Sequence, residues 1–114
     1  MIKMNKTIKK LWVTALKGKA YKQGQGKLRN RDNEYCCLGV LCDVHRLEVR
    51  EETWAESQYG YNYFFGSTYL PDEIVQWAGL NSKNPIVNGE SLANLNDVGK
   101  LSFKAIAKII EENL

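Results

Sequence analysis

At 114 residues the chain has room for one hydrophobic core and no second domain. Apolar residues make up 44% and charged ones 25%, a balance that excludes global disorder. No run approaches the ~20 apolar residues that a membrane-spanning helix needs.

The net charge of +3 hides an uneven distribution. Residues 1–31 hold ten of the sixteen basic side chains and no acidic one, leaving six basic against thirteen acidic over 32–114. Such a division points to a phosphate-bearing partner for the basic end, or to two oppositely charged faces that meet within one molecule or across a dimer. The apolar stretch after the first lysines is broken by Thr14 and Lys17, too short for a signal-peptide core. Cys36, Cys37 and Cys42 are odd in number and tightly clustered, unlike a secreted disulfide framework. Reduced thiols and a cytoplasmic location are the expectation.

In chain order, Ile8, Leu11, Trp12, Ala15 and Leu16 form one apolar stripe at helical spacing, with Asn5 or Thr7 to cap it and Gly18 placed for a left-handed stop. An extended loop follows, with a short strand near Lys27–Arg29 and a polar turn over 30–34. The run from Cys36 to Val44 reads as strand or buried helix; Leu38, Leu41, Cys42 and His45 favour a helix over about 37–47. Residues 48–58 are polar and aperiodic, as in a surface loop. The tyrosines over 59–69 alternate as in a strand or hairpin with one wet face.

Pro71, Asp72 and Glu73 suit a helix start and Gly79 its stop, with Ile74, Trp77 and Ala78 facing inward. Asn88-Gly89 is a strong two-residue hairpin signal. Asn96-Asp97 reads as a turn whose side chains satisfy backbone groups, feeding a last helix that Ser102 caps and that buries Phe103, Ile106, Ala107 and Ile110. The predicted fold is α+β, a small single domain over 1–114 with three to four helices packed on a short antiparallel sheet.

Several segments invite a chemical reading. Gln23-Gly24-Gln25-Gly26-Lys27 is neither a Walker A loop nor a complete dinucleotide fingerprint. Its glycines still let backbone N–H groups approach an anion, with Lys22, Lys27, Arg29 and Arg31 around them. In an extended strand, Lys27, Arg29 and Arg31 would share one face, as contact with a phosphate backbone requires. The candidate ligand-binding set is therefore Lys22, Gln23, Gln25, Lys27, Arg29 and Arg31. The plain alternative is a flexible turn with solvated charges. Tyr59, Tyr61 and Tyr63 could stack on bases or form a protein interface; the alternative is half-buried sheet packing.

Cys36 or Cys37 at a helix start would gain thiolate character from the helix dipole. His45, however, lies about 12 Å from Cys37 along a continuous helix at 1.5 Å per residue, too far to act as a general base. No second Cys/His cluster completes a zinc site, so neither metal nor cofactor is expected. No pair of carboxylates shares a readable face, so acid–base catalysis is not indicated.

The segments from Tyr21 through Arg29, Cys36-Cys37-Leu38-Gly39-Val40-Leu41-Cys42-Asp43, Leu70-Pro71, Trp77-Ala78-Gly79-Leu80, Leu95-Asn96-Asp97 with Gly99, and Ser102-Phe103 with Ile106-Ala107 together resemble a family of small proteins of tailed bacteriophages and prophages. The resemblance implies an accessory protein acting in the host bacterial cytoplasm, usually by binding, and carries no residue roles. The expectation is a binding protein for a phosphate-bearing ligand, either a host signalling nucleotide or a nucleic-acid backbone. Two other readings stand beside it: an inhibitor docking on a host enzyme through residues 59–69, and a small thiol-dependent enzyme. A homo-oligomer is compatible with all three.

Overall fold

In the computed structural model, which describes residues 3–114, the first helix forms where its stripe predicts. Helix α1 (Lys6–Lys17) is capped by Asn5, whose side chain accepts a hydrogen bond from Ile8 N, and it buries Ile8, Trp12, Val13 and Leu16. Its apolar side lies against the C-terminal helix and the central helix described below. Gly18 ends α1 in extended backbone (φ −80°, ψ −171°) rather than the expected left-handed turn, because its N–H reaches Thr14 and Ala15 carbonyls without one.

Strand β1 (Lys22–Gln23) pairs in parallel with β2 (Glu34–Tyr35). The loop between them departs from the expected strand over 27–29. Leu28 is fully buried and its N–H is taken by Ser67 O at 2.8 Å. Only Arg29 forms bridges, to Tyr35 and Tyr61. The chain then reverses at Asn30, whose side-chain oxygen accepts from the N–H groups of Asp32 and Glu34. Lys27, Arg29 and Arg31 therefore do not share a strand face.

Helix α2 (Cys37–Val49) is the centre of the molecule. Every residue from Cys37 to His45 is buried, Asp43 and His45 included, so the segment has no solvent face and gives a weak helical periodicity. It runs two residues beyond the expected end and stops at Arg50 in left-handed geometry (φ 62°). Gly39 makes its packing possible: a Cβ there would lie 1.8 Å from Leu28 O.

Residues 48–58 are not one surface loop. Trp54 is buried against Asp43, to which its indole N–H donates, and it leads into β3 (Ala55–Ser57). β3 pairs antiparallel with β4 (Gly60–Asn62). Helix α3 (Asp72–Ala78) starts after Pro71 and ends at Gly79 with φ 73°. It buries Ile74 and Ala78, while Trp77 is half-buried against His45.

The hairpin of β5 (Ile86–Val87) and β6 (Glu90–Ser91) turns at Asn88-Gly89, both with positive φ (51° and 82°), as its sequence predicts. Next comes α4 (Leu92–Asp97), a helix where a turn is expected, capped by Ser91. Ser102 caps α5 (Phe103–Asn113), which buries Phe103, Ile106, Ala107 and Ile110.

The described residues thus make an α+β domain with five helices, one more than expected because α4 is too short to show a stripe. The strands form three two-stranded pairs, one of them parallel, rather than one continuous antiparallel sheet; Arg29 links β1–β2 to β3–β4 through its bridges to Tyr35 and Tyr61.

Gly39 gives a prediction whose sign discriminates. On helix propensity alone Gly39→Ala would stabilise by about 1 kcal/mol. The contact with Leu28 O reverses this: the variant is expected to lose about 1–3 kcal/mol, read from urea denaturation midpoints. A gain in stability would refute the packing described.

Candidate functional site

The structure splits the sequence-predicted ligand set in two. Lys22 pairs with Glu34 at 3.4 Å. Gln23 donates to Asn96 Oδ1 at 2.9 Å and to Leu101 O at 2.8 Å, a structural tie to the C-terminal half. The Arg29 guanidinium sits 3.9 Å from the Tyr61 ring centroid and within 5.6 Å of those of Tyr35 and Trp54, with Asn33 Oδ1 at 2.7 Å from Nη2. Gln23 and Arg29 thus tie parts of the fold together, while Lys22 makes a solvent-exposed ion pair.

Gln25, Lys27 and Arg31 come together elsewhere. With Gly26, Asn30, Asp32, Gln58 and Tyr59 they line an open groove of about 620 Å³ between the 24–33 loop and the β3–β4 turn. The groove exists because Asn30 turns the loop back and because Arg31 Nη1 donates to Gln58 O at 3.1 Å across it. Lys27 Nζ lies 5.9 Å from the Tyr59 ring, whose residue is 67% exposed. Gly26 has φ 83° with open space where a Cβ would stand, so its backbone is accessible. Neither Lys27 nor Arg31 forms an ion pair among the described residues. Asp32 is the one carboxylate in the lining.

The tyrosines separate in the same way. Tyr63 is fully buried, its hydroxyl 2.7 Å from His45 Nδ1, and Tyr61 lies under Arg29. Tyr63 thus has no exposed face, whereas Tyr61 is half-buried with Arg29 over its ring. The exposed aromatic surface of this stretch is Tyr59, Phe65 and Tyr69. Phe65 carried no separate sequence signal: a Phe64-Phe65 pair directly after alternating tyrosines looks like strand packing.

All three thiols are buried. Burial pushes the Cys36 thiol up to about 12 and raises Cys37 and Cys42 well above the ordinary value. Cys36 serves instead as the α2 cap, its sulfur accepting from Gly39 N at 3.4 Å, and Cys37 Sγ contacts Leu92 O at 3.6 Å. His45 is turned toward Tyr63, Phe64 and Trp77. The described residues include no group of three or more His, Cys, Asp or Glu arranged to hold a metal ion. None of their helices is long and apolar enough to cross a membrane.

Two buried polar groups that the sequence leaves unremarked prove central. Asp43 accepts from Tyr21 Oη (2.5 Å), Arg46 Nε (2.6 Å) and Trp54 Nε1 (2.9 Å). Burial alone would raise its pKa, but the donors from Arg46, Tyr21 and Trp54 outweigh it and hold the carboxyl below its ordinary value. Asn96, fully buried, accepts from Cys37 N and Gln23 Nε2 and donates to Gly24 O.

The chain belongs to the family described as a domain of unknown function, DUF8296, whose model matches residues 4–114. No curated protein and no solved structure matches it.

Two outcomes follow from the buried groups. A thiol reagent applied to the native protein near neutral pH is expected to label none of Cys36, Cys37 or Cys42, and all three after denaturation; rapid native labelling of one would restore a nucleophilic role. For Asp43 the folded pKa is depressed, so its contribution is complete above the unfolded value of 3.8 and disappears as pH falls through the folded value. Asp43→Asn is expected to cost about 2–3 kcal/mol at pH 7 and to flatten the stability profile below that point. An unchanged acid limb in a pH series of melts would contradict this.

Proposed function

We propose that the protein is a non-enzymatic binding protein that engages the phosphate backbone of a nucleic-acid strand at the groove of Gln25, Lys27, Arg31 and Tyr59. The observation that carries this reading is the exposed Tyr59 ring beside two cations with no carboxylate partner. A stacking platform flanked by positive charge is what a single strand requires: every base has a π-face and every linkage a phosphate. The accessible Gly26 backbone adds donors for phosphate oxygens. Asp32, Asn30 and Gln58 line the same groove and suit sugar hydroxyls and base edges rather than phosphate.

A signalling nucleotide fits less well. Sequestering one calls for a pocket that buries 70–90% of a ligand this small, and this groove is open along its length. The resemblance to small phage and prophage proteins supports a role in redirecting host functions in an infected bacterial cytoplasm. Burial of the three cysteines weighs against the thiol-enzyme alternative.

The test is fluorescence anisotropy with short labelled single-stranded DNA and RNA over a salt series, beside thermal shifts with mononucleotides. Each phosphate contact on a single strand contributes about −0.7 to the slope of log K against log salt, so Lys27→Ala with Arg31→Ala is expected to reduce its magnitude by about 1.4. Tyr59→Ala is expected to cost about 1–3 kcal/mol of binding. No binding, or a salt-resistant shift by one mononucleotide alone, would overturn the backbone reading.

A further inference from the structure

The groove of Gln25, Lys27, Arg31 and Tyr59 contains one group that phosphate does not explain. Asp32 is exposed and lies in the groove lining, next in sequence to Arg31. A carboxylate repels phosphate oxygens, so for backbone contact alone the groove would bind better without it. Lys27 and Arg31 are the only other charged residues in that lining, and neither forms an ion pair with Asp32.

The fold does not explain the carboxylate either. Aspartate in a turn ordinarily holds the loop with its own side chain. Here Asn30 does so. Its Oδ1 accepts from Asp32 N at 2.9 Å and from Glu34 N at 3.0 Å, and its carbonyl accepts from Asn33 N at 3.1 Å. Its Nδ2 donates to Glu34 Oε1 at 2.9 Å. Asp32 gives the turn only its backbone N–H. The turn thus fixes the Asp32 backbone and leaves its carboxylate free for a ligand.

The chemistry of that ligand follows from what a carboxylate can do. It only accepts, and its two oxygens take two parallel donors. On the exposed edges of an unpaired strand, guanine alone presents two adjacent donors, N1–H and the N2 amine. Adenine sets its N6 amine beside the N1 acceptor, and cytosine sets its N4 amine beside N3. Uracil and thymine flank N3–H with two carbonyls. Against any of these, one carboxylate oxygen would meet an acceptor. Guanine O6, next to N1, needs a donor in turn, and Gln25, Gln58 and Lys27 stand in the same lining. Tyr59, 67% exposed, offers the stacking face. At about 620 Å³ the groove has room for a nucleoside.

We infer that the groove prefers guanine, with Asp32 reading the N1 and N2 donors while Tyr59 stacks on the base and Lys27 and Arg31 hold flanking phosphates. The inference rests on the nucleic-acid reading of the same groove and adds base identity to it.

Fluorescence anisotropy at fixed salt tests it, using labelled RNA strands of alternating guanine–uracil, adenine–uracil and inosine–uracil, and DNA strands of the same base order. The native chain is expected to bind the guanine strand about tenfold more tightly than the adenine strand. Inosine lacks the N2 amine and should fall between them. Asp32→Asn should reverse the order of guanine and adenine, because a carboxamide offers one acceptor and one donor, the complement of the adenine edge. Its melting temperature should match that of the native chain, since Asn30 carries the turn. Equal affinity for all three strands overturns the guanine assignment, as does equal tightening of all three by Asp32→Asn, the result of removing a charge alone. A preference for RNA over DNA whatever the base would assign Asp32 to the sugar hydroxyl and overturn it too. In each of these cases the phosphate contacts stand if Lys27→Ala still weakens binding, whereas no binding of any strand overturns both readings.

Discussion

The first turn of α2 is buried, and its free N–H groups have no water to turn to. A helix leaves its first four N–H groups without internal partners, and burying them unpaired would cost on the order of 1–3 kcal/mol each. The structure meets this from two directions. Cys36 turns its own sulfur onto Gly39 N, and Asn96 reaches in from α4 to accept from Cys37 N. The same amide collects Gln23 Nε2 and donates to Gly24 O, and Gln23 continues to Leu101 O. One fully buried side chain thus fixes where β1, α2 and α4 meet, and through Gln23 the approach to α5.

The far half of α2 is tied by a second polar cluster. Asp43 gathers Tyr21 from the α1–β1 connection, Arg46 from its own helix and Trp54 from the lead into β3. His45, two residues on, pairs with Tyr63 and packs on Trp77 of α3. An apolar helix held at both ends by satisfied polar networks has one register. That register sets the candidate groove, since Leu28 packs on Gly39 beneath the 24–33 loop, and Trp54 and Tyr61 clamp Arg29. Lys27, next to the buried Leu28, and Arg31, beyond Asn30, both reach that groove because Leu28 is drawn inward and Asn30 reverses the chain.

Elements that announce themselves locally were legible in the sequence. α1 and α5 each bury one stripe, Ser102 caps where a serine should, and Asn88-Gly89 turns as that dipeptide turns. What was illegible depends on contacts across the chain. α4 is six residues long, below one full amphipathic repeat, so Asn96 looked like a local turn residue when its partners lie more than fifty positions away. The 27–31 segment read as a strand because alternating cations mimic period two, whereas Leu28 is drawn inward and Asn30 reverses the chain. Of the six residues expected to bind a ligand, Gln25, Lys27 and Arg31 reached the groove, and Tyr59 came from the group expected at an interface. Phe64-Phe65 could not be read as a turn, since neither residue belongs in one by local preference.

Charge and aromatic content were the two compositional signals, and the fold sorts each into a committed and an uncommitted share. Arg29 is spent on Tyr61, Tyr35 and Trp54, and Lys22 on Glu34. Tyr63 fills the core. The remainder is not scattered. Lys27, Arg31 and Tyr59 converge on one groove, Lys6 and Lys10 run along one face of α1, and Phe65 stands alone on a strained tip. Stability accounts for the first share more fully than for the second, in which Arg31 makes one exposed hydrogen bond to Gln58 O, Lys27 lies 5.9 Å from the Tyr59 ring and Phe65 is 99% exposed.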